Sequence, residues 1–202
     1  WGEGGHFQAA PFDSEALDKG AVVFEEPLQK EAHDRSLVKI ESIVPGDVQE
    51  AINILKQHPA YFTENDIKVA LHDFERHFNN HESDVHYFVI RNPEGHIIAI
   101  GGYGRESLVP DVYFIGWFAV DKELQRTGIG GQMLEKIEDE LKDKARMLVI
   151  RTEEKGDNDP TALFYKKHGY QKTGIVPDYW GDGYHLTFWV KRLRPSVEIE
   201  KE

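Results

Sequence analysis

The chain has 202 residues, no cysteine and a formal net charge of -12 at pH 7. The absence of cysteine excludes disulfides, thiolate metal sites and a cysteine nucleophile, and it favours a reducing, cytoplasmic setting. The negative charge argues against nucleic acid or an anionic membrane as a partner, and no apolar run reaches the roughly 18 residues of a membrane span. The length predicts one domain with a tail.

The N-terminal part of the chain differs in composition from the rest. Residues 1–36 are glycine-rich and then acidic, which predicts an arm or linker. Residues 37–202 are predicted to form a single domain. The start at Trp1, without methionine, favours a processed or excised chain.

Alternating and helical hydrophobic spacing predicts the elements of this domain. Thr63 with Asp66 resembles a capping box that starts the second helix. Residues 92–95, with the sequence NPEG, form a turn between two strands. The stripe at Ile129, Met133, Ile137 and Leu141 predicts a helix that faces the core. The predicted order is strand 37–43, helix 45–57, helix 63–78, strands 85–91, 96–103 and 112–120, helix 129–144, strand 147–151, helix 160–168, and a hairpin of strands 171–175 and 185–191.

Histidines near the second helix raise the question of a metal site. His77 and His81 are four residues apart, but the chain has no H-E-x-x-H spacing and no cysteine to complete a zinc site. A solvated helix face is the expected explanation, and no metal is predicted.

The most informative segment is Gln125–Gly131, with the sequence QRTGIGG, between a strand and a helix. The first amides of a helix have no intrahelical partner, and glycine lets an anion approach them. A Rossmann loop would need a third glycine where Met133 stands, and a P-loop would need Gly-Lys-Ser/Thr. The segment therefore predicts a phosphate-bearing ligand, although such a turn alone can also be a tight connection.

Two motifs together resemble the GNAT acyltransferase superfamily. The first is Q-x-x-G-x-G, preceded by Phe118-Ala119-Val120-Asp121, and the second runs through Asn158, Ala162, Phe164-Tyr165 and Gly169-Tyr170, with Phe164 where the family usually has leucine. The resemblance covers roughly residues 38–193. It implies an α/β (α+β) GNAT fold, with a mixed, mostly antiparallel sheet of about six to seven strands, splayed at the acetyl-coenzyme A site, and about four flanking helices.

The resemblance also implies which residues hold acetyl-coenzyme A. The pantetheine arm would pair with main chain in the splay, the pyrophosphate would sit on the helix amides, and Tyr165 would protonate the leaving thiolate. A buried aromatic at Tyr165 and ordinary turn chemistry at Asn158 are the structural alternatives. The implied cofactor-binding residues are Phe118, Ala119, Val120, Gln125, Arg126, Thr127, Gly128, Ile129, Gly130, Gly131, Asn158 and Tyr165.

The general base is not evident in the sequence. Many members of the superfamily carry a glutamate on the strand before the glycine turn, but residues 112–117 read VYFIGW. Asp111 and Glu153 are the candidate catalytic carboxylates, with Glu154, His185 and a water relay as further options.

The sequence leaves more than one acceptor and more than one activity open. Trp180 and Tyr184, with Asp182 between them, lie in the closing hairpin that helps form the acceptor site in the superfamily, and they could hold an amine cation or simply pack. The function predicted is direct transfer of acetyl to a small-molecule or protein amine in a ternary complex. The alternatives are a non-catalytic acyl-coenzyme A-binding module and a nucleotide-binding protein. Monomer and homodimer are both open.

Overall fold

A computed structural model describes residues 38–79 and 85–195. The arm predicted for residues 1–36 and the histidine at position 81 lie outside this part of the chain. The described elements are β1 (Lys39–Ser42), α1 (Val48–Lys56), α2 (Glu64–Asn79), β2 (Val85–Arg91), β3 (Ile97–Arg105), β4 (Val112–Val120), α3 (Ile129–Leu141), β5 (Met147–Glu153), α4 (Pro160–Lys167), β6 (Gln171–Gly181) and β7 (Tyr184–Arg192).

The seven strands form one sheet in the order β1-β2-β3-β4-β5-β7-β6. Every neighbouring pair is antiparallel except β4 and β5, which run parallel and are joined through α3. The predicted fold class, a mixed and mostly antiparallel sheet flanked by four helices, is confirmed. No helix within the described ranges is long and apolar enough to cross a membrane.

The two sides of the sheet bury separate apolar cores. Helices α1 and α2 pack on one side, here called the α1/α2 face, around Leu55, Phe74 and Tyr87. Helices α3 and α4 pack on the other, the α3/α4 face, where the predicted stripe from Ile129 to Leu141 is fully buried. The hydrophobic period of α3 therefore gave its orientation correctly.

Element ends differ from the predictions where they depend on distant contacts. The capping box is confirmed, since the Thr63 amide donates to Asp66 Oδ2 at 2.7 Å and the Asp66 amide donates to Thr63 Oγ1 at 3.3 Å. Helix α3 ends three residues earlier than predicted, at Leu141 rather than at residue 144. Strand β6 continues to Gly181, because β7 pairs with it beyond the predicted end, across an irregularity at residues 176–181.

Candidate functional site

Strands β4 and β5 separate halfway along their length. Their parallel register runs from Val112↔Met147 to Ile115↔Ile150 and stops there. Beyond that point, residues 151–153 of β5 pair only with β7, and residues 119–120 of β4 pair only with β3. The gap between residues 116–120 of β4 and 151–153 of β5 is called the fork. It opens toward the C-terminal ends of both strands.

A bulge in β4 lies at the inner end of the fork. Gly102 pairs with Gly116 and Ile100 with Ala119, so two residues of β4 stand opposite one residue of β3. Trp117 takes a φ of +46° there. A bulge reverses the alternation of side chains along a strand. Accordingly, Ile115 and Phe118 both contact the core of the α3/α4 face, although three positions separate them.

Main-chain groups of β4 are directed into the fork. The Asp121 amide donates to the Ile98 carbonyl at 2.8 Å, so Asp121 faces β3. Neighbouring residues of a strand alternate in the direction of their amides and carbonyls, so those of Val120 face away from β3. The Val120 carbonyl accepts a hydrogen bond from His58 Nε2 at 2.8 Å, and its amide remains directed toward the gap.

The glycine turn follows directly and leads into α3. Gly128 has a φ of +96°, and Arg126 a φ of +67°. The Thr127 hydroxyl donates to the Leu124 carbonyl at 2.6 Å, which closes the turn. Within the described residues, the amides of residues 126–131 have no backbone acceptor outside the helix. Unpaired amides at a helix N-terminus suit an anionic ligand.

Two glycines of this segment serve the packing of α4 on α3. A Cβ at Gly130 would lie 3.3 Å from the Phe164 ring, and a Cβ at Gly131 would lie 2.9 Å from His168 Cε1. Gly128 differs, since open space surrounds its Cα and only its positive φ favours glycine. The sequence interpretation, in which the glycines admit a ligand, is therefore refined: only Gly128 is required by backbone conformation.

Helix α4 places Tyr165 against the sheet. Its side chain is buried, with ring contacts to Phe164, Tyr170 and Trp189. Burial raises the pKa of the Tyr165 hydroxyl, so it stays protonated well above neutral pH. Among residues 38–79 and 85–195 this hydroxyl has no hydrogen-bond partner. A protonated phenol of this kind is able to donate to a nearby atom that gains negative charge.

A polar network fixes the loop between β5 and α4. Glu154 accepts hydrogen bonds from the Thr187 hydroxyl, from Lys172 Nζ at 2.9 Å and from the Gly156 amide at 2.9 Å. Burial alone would raise the pKa of this carboxyl, but the hydrogen bonds outweigh burial and hold the pKa below its usual range. Asn158 lies exposed in the same loop, just before the N-cap of α4 at Asp159. A shallow depression lies between this loop and β5, lined by residues 152–156, Asp159, Thr161, Ala162 and Trp189.

On the α1/α2 face, the fork is bordered by aromatic and charged side chains from distant segments. The Trp117 ring packs against the Phe62 ring, with their centroids 6.2 Å apart, and Trp117 Nε1 donates to Asp73 Oδ2 of α2 at 2.9 Å. Across the gap, Lys155 Nζ lies 3.9 Å from the centroid of the Tyr61 ring. The connection between α1 and α2 thus bridges the open end of the fork.

The same face carries two side chains of the outer half of β5. Leu148 and Ile150 contact the α3/α4 core, so by alternation Arg151 and Glu153 point to the α1/α2 face. Glu153 forms an ion pair with Lys155 at 3.2 Å. The guanidinium of Arg151 lies 5.1 Å from the centroid of the Phe114 ring.

Some predicted site residues are not brought to the fork. Asp111 precedes β4 at its paired end and binds Arg194 at 3.0 Å. Seven residues of extended chain, roughly 23 Å, separate it from Phe118. Asp111 is therefore far from the fork and is paired with Arg194.

The predicted hairpin residues lie past the end of β5. Trp180 and Tyr184 are exposed, and Trp180 packs edge-on against Tyr179 with ring centroids 4.7 Å apart. His185 Nδ1 accepts a hydrogen bond from the Asp178 amide at 3.0 Å. Within the described residues, Trp180 and Tyr184 make no ring contact with a side chain bordering the fork.

Sequence reasoning missed three residues that shape the fork. His58 binds the Val120 carbonyl, Asp73 holds Trp117, and Lys155 crosses to Tyr61. The hydrogen-bond partners of His58 and Asp73 lie 62 and 44 positions away in the sequence. Lys155 Nζ donates a hydrogen bond to the Ala60 carbonyl, 95 positions away. No local pattern marks such residues. No group of histidine, cysteine, aspartate and glutamate suited to a metal occurs in the described part of the chain.

Comparison with known proteins agrees with this architecture. Residues 83–172 match the family model of the acetyltransferase (GNAT) domain. No curated protein matches the chain. A structure described as an acetyltransferase of the GNAT family from Desulfovibrio desulfuricans shares 18% identity and a TM-score of 0.71, covering 78% of this chain and 99% of that one.

Two other solved structures share the fold. The ribosomal-protein-S18-alanine N-acetyltransferase of Escherichia coli has 20% identity and a TM-score of 0.64, covering 80% of this chain and 97% of that one. An aminoglycoside 6'-N-acetyltransferase complexed with coenzyme A has 13% identity and a TM-score of 0.62, with coverages of 79% and 99%. Residues 83–172 thus match the acetyltransferase (GNAT) domain model, and the described part of the chain shares its fold with solved acetyltransferases.

Proposed function

We propose that the chain is an N-acetyltransferase that moves the acetyl group of acetyl-coenzyme A to a primary amine by direct attack. The observation that carries this proposal is the fork, whose outer end meets the unpaired amides of the turn before α3. A thioester arm lying between the strands would place its phosphates on these amides. No cysteine is present to form an acyl-enzyme.

The cofactor residues are those predicted, with roles divided by position. The amides of residues 126–131 hold the pyrophosphate, and Arg126 adds a charge-assisted contact. The amides of Phe118 and Val120 pair with the pantetheine arm. Ala119 faces the other way, into the core of the α1/α2 side, and contributes only through the strand. Asn158 contacts the arm from the β5–α4 loop.

The acceptor amine approaches from the α1/α2 face. On the opposite face the fork is covered by Phe118, Phe164 and the buried Tyr165, which pack together beneath α4. The α1/α2 face is instead bordered by the exposed Arg151 and the partly exposed Trp117 and Glu153. The hairpin residues Trp180 and Tyr184 extend the acceptor site past the end of β5.

Three groups carry the chemistry as a carbon–nitrogen bond forms and the carbon–sulfur bond breaks. Glu153, directly or through water, takes the proton of the ammonium, whose pKa is about 10.4. A β4 amide at the fork stabilises the oxyanion. Tyr165 gives its proton to the leaving sulfur, whose thiol has a pKa of about 8.5. Burial raises the pKa of Tyr165, so the hydroxyl is protonated at neutral pH.

Calorimetry with acetyl-coenzyme A, followed by thiol release over a panel of amines, tests this function. Binding with turnover supports it. Binding without turnover on any amine favours a non-catalytic acyl-coenzyme A-binding module, a function consistent with the absence of a carboxylate within β4. Failure to bind coenzyme A, or equal stabilisation by ATP, contradicts the cofactor assignment.

A further inference from the structure

Arg151 occupies a special position in the fork. It is the first residue of β5 beyond the last pair with β4, Ile115↔Ile150. Its side chain is exposed and points to the α1/α2 face, the face from which we expect the acceptor to enter. Arg151 therefore lies where the reacting carbonyl and the incoming amine would meet.

The guanidinium of Arg151 lies over the Phe114 ring. The guanidinium carbon lies 5.1 Å from the ring centroid, within the range of a cation–π contact. An arginine stacked on a ring leaves the N–H groups at its edge free, and these form a planar fork that matches a carboxylate in two parallel hydrogen bonds. Lysine cannot reproduce this geometry.

The charges on this face favour an anion at Arg151. Two of the described carboxylates beside the fork already have cations, since Glu153 pairs with Lys155 at 3.2 Å and Asp73 lies 3.6 Å from Arg76. Asp121, at the outer end, accepts a hydrogen bond from Gln57 Nε2 at 3.0 Å. Within residues 38–79 and 85–195, no carboxylate lies within ion-pair distance of Arg151. The inner end of the fork therefore carries an uncompensated positive charge in a chain whose net charge is -12.

We propose that Arg151 binds the carboxylate of the acceptor, and hence that the acceptor is a primary amine bearing a carboxylate, of the amino-acid class. This inference rests on the proposed acetyltransferase function. A zwitterionic amino acid has no net charge, so the negative field of the chain does not repel it, whereas its carboxylate still meets the local charge of Arg151. A polyamine or an aminoglycoside would instead place a cation beside the guanidinium.

The test compares amino acids with their primary carboxamides as acceptors, for the unmodified chain and for Arg151→Gln. We expect the free acids to be preferred, and Arg151→Gln to lower kcat/KM for the acids by about 10- to 100-fold, the range of a hydrogen bond between charged groups. The carboxamides should change by less than about threefold, and Arg151→Lys should recover only part of the loss.

Arg192→Gln is the matched control. Arg192 is exposed on β7 and pairs with Met147, on the same face of the sheet but at the end away from the fork. It should leave both classes of acceptor unchanged. Equal rates with acids and carboxamides, or an acid preference that persists in Arg151→Gln, would overturn the assignment.

Two binding measurements distinguish failure of this inference from failure of the proposed acetyltransferase function. Coenzyme A should bind Arg151→Gln as tightly as the unmodified chain; if neither binds it, the proposed function itself fails. With coenzyme A saturating, calorimetry with N-acetyl amino acids and their carboxamides gives a result without turnover. Tighter binding of the acids that is lost in Arg151→Gln supports the inference, and equal binding rejects it.

Discussion

The two faces of the fork are built in different ways. On the α3/α4 face, the turn, helix α3 and Tyr165 come from one stretch of sequence, and apolar side chains pack closely around them. On the α1/α2 face, Trp117, Asp73, Arg151 and Lys155 come from separate segments. Trp117 bonds Asp73, while Arg151 and Lys155 lie over the rings of Phe114 and Tyr61. The family match over residues 83–172 contains the whole first group and also Trp117, Arg151 and Lys155, but neither Asp73 nor the connection between α1 and α2. We infer that the first face is committed to the cofactor and that the second sets the acceptor.

The largest expected effect tests the chemistry assigned to the α3/α4 face. Tyr165→Phe removes the proposed proton donor while keeping the buried ring. We expect kcat to fall by about 10²- to 10⁴-fold, the usual contribution of a general acid. Acetyl-coenzyme A binding, followed by calorimetry, should be nearly unchanged, because the contacts to Tyr170 and Trp189 remain. A fall of less than threefold in kcat would assign Tyr165 to packing alone.

The second prediction tests the backbone of the turn. Gly128→Val places a β-branched residue at a φ of +96°, in otherwise open space. Such backbone strain costs about 1–3 kcal/mol. If the turn shifts to relieve the strain, the amides at the start of α3 move, and we expect the Kd for acetyl-coenzyme A to rise by about 10-fold or more. Gly128→Asn should be milder. Gly174→Ala is the control, since Gly174 also has open space but no positive φ. Unchanged affinity in the valine variant would argue against the turn as the phosphate site.

The third prediction asks whether the two faces act independently. Trp117→Phe removes the hydrogen bond to Asp73. A hydrogen bond to a charged partner contributes about 1.5–3 kcal/mol, and part of this free energy fixes the orientation of the Trp117 ring. We therefore expect KM for the acceptor to rise by about three- to tenfold. The Kd for acetyl-coenzyme A should stay constant. Asp73→Asn keeps an acceptor oxygen and should have a smaller effect. Equal weakening of cofactor and acceptor binding would contradict the division between the faces.

The smallest expected effect concerns Glu154, whose hydrogen bonds fix the β5–α4 loop. The pKa of Glu154 is lower in the folded chain than its unfolded value of about 4.3. Its contribution to stability is therefore present above that value and lost as pH falls through the folded pKa. Glu154→Gln should lower the free energy of unfolding by about 1–2 kcal/mol at pH 7, and the difference should shrink below about pH 4. Denaturant unfolding at several pH values measures it, and a difference independent of pH would contradict it.

Much of the fold could be predicted because its signals are local. The stripe of α3, the capping box of Thr63 and the strand 112–120 each depend on residues within one or two turns, and all three were placed correctly. The phosphate site at the turn was predicted in the same way, from a strand, a turn and a helix that follow one another, whereas the individual acetyl-coenzyme A residues came from the resemblance to the GNAT superfamily. Their binding roles remain predictions.

The sequence by itself determined the elements, their order and the turn in front of α3, since hydrophobic period and backbone conformation act over a few residues. Only the tertiary structure decided which side chains border the fork. The bulge at Trp117 changes which face each later residue of β4 meets, and the strand pairing carries Asp111 away from the fork and brings Arg151 to it. Register and strand separation arise from contacts across the whole sheet, so no single segment encodes them.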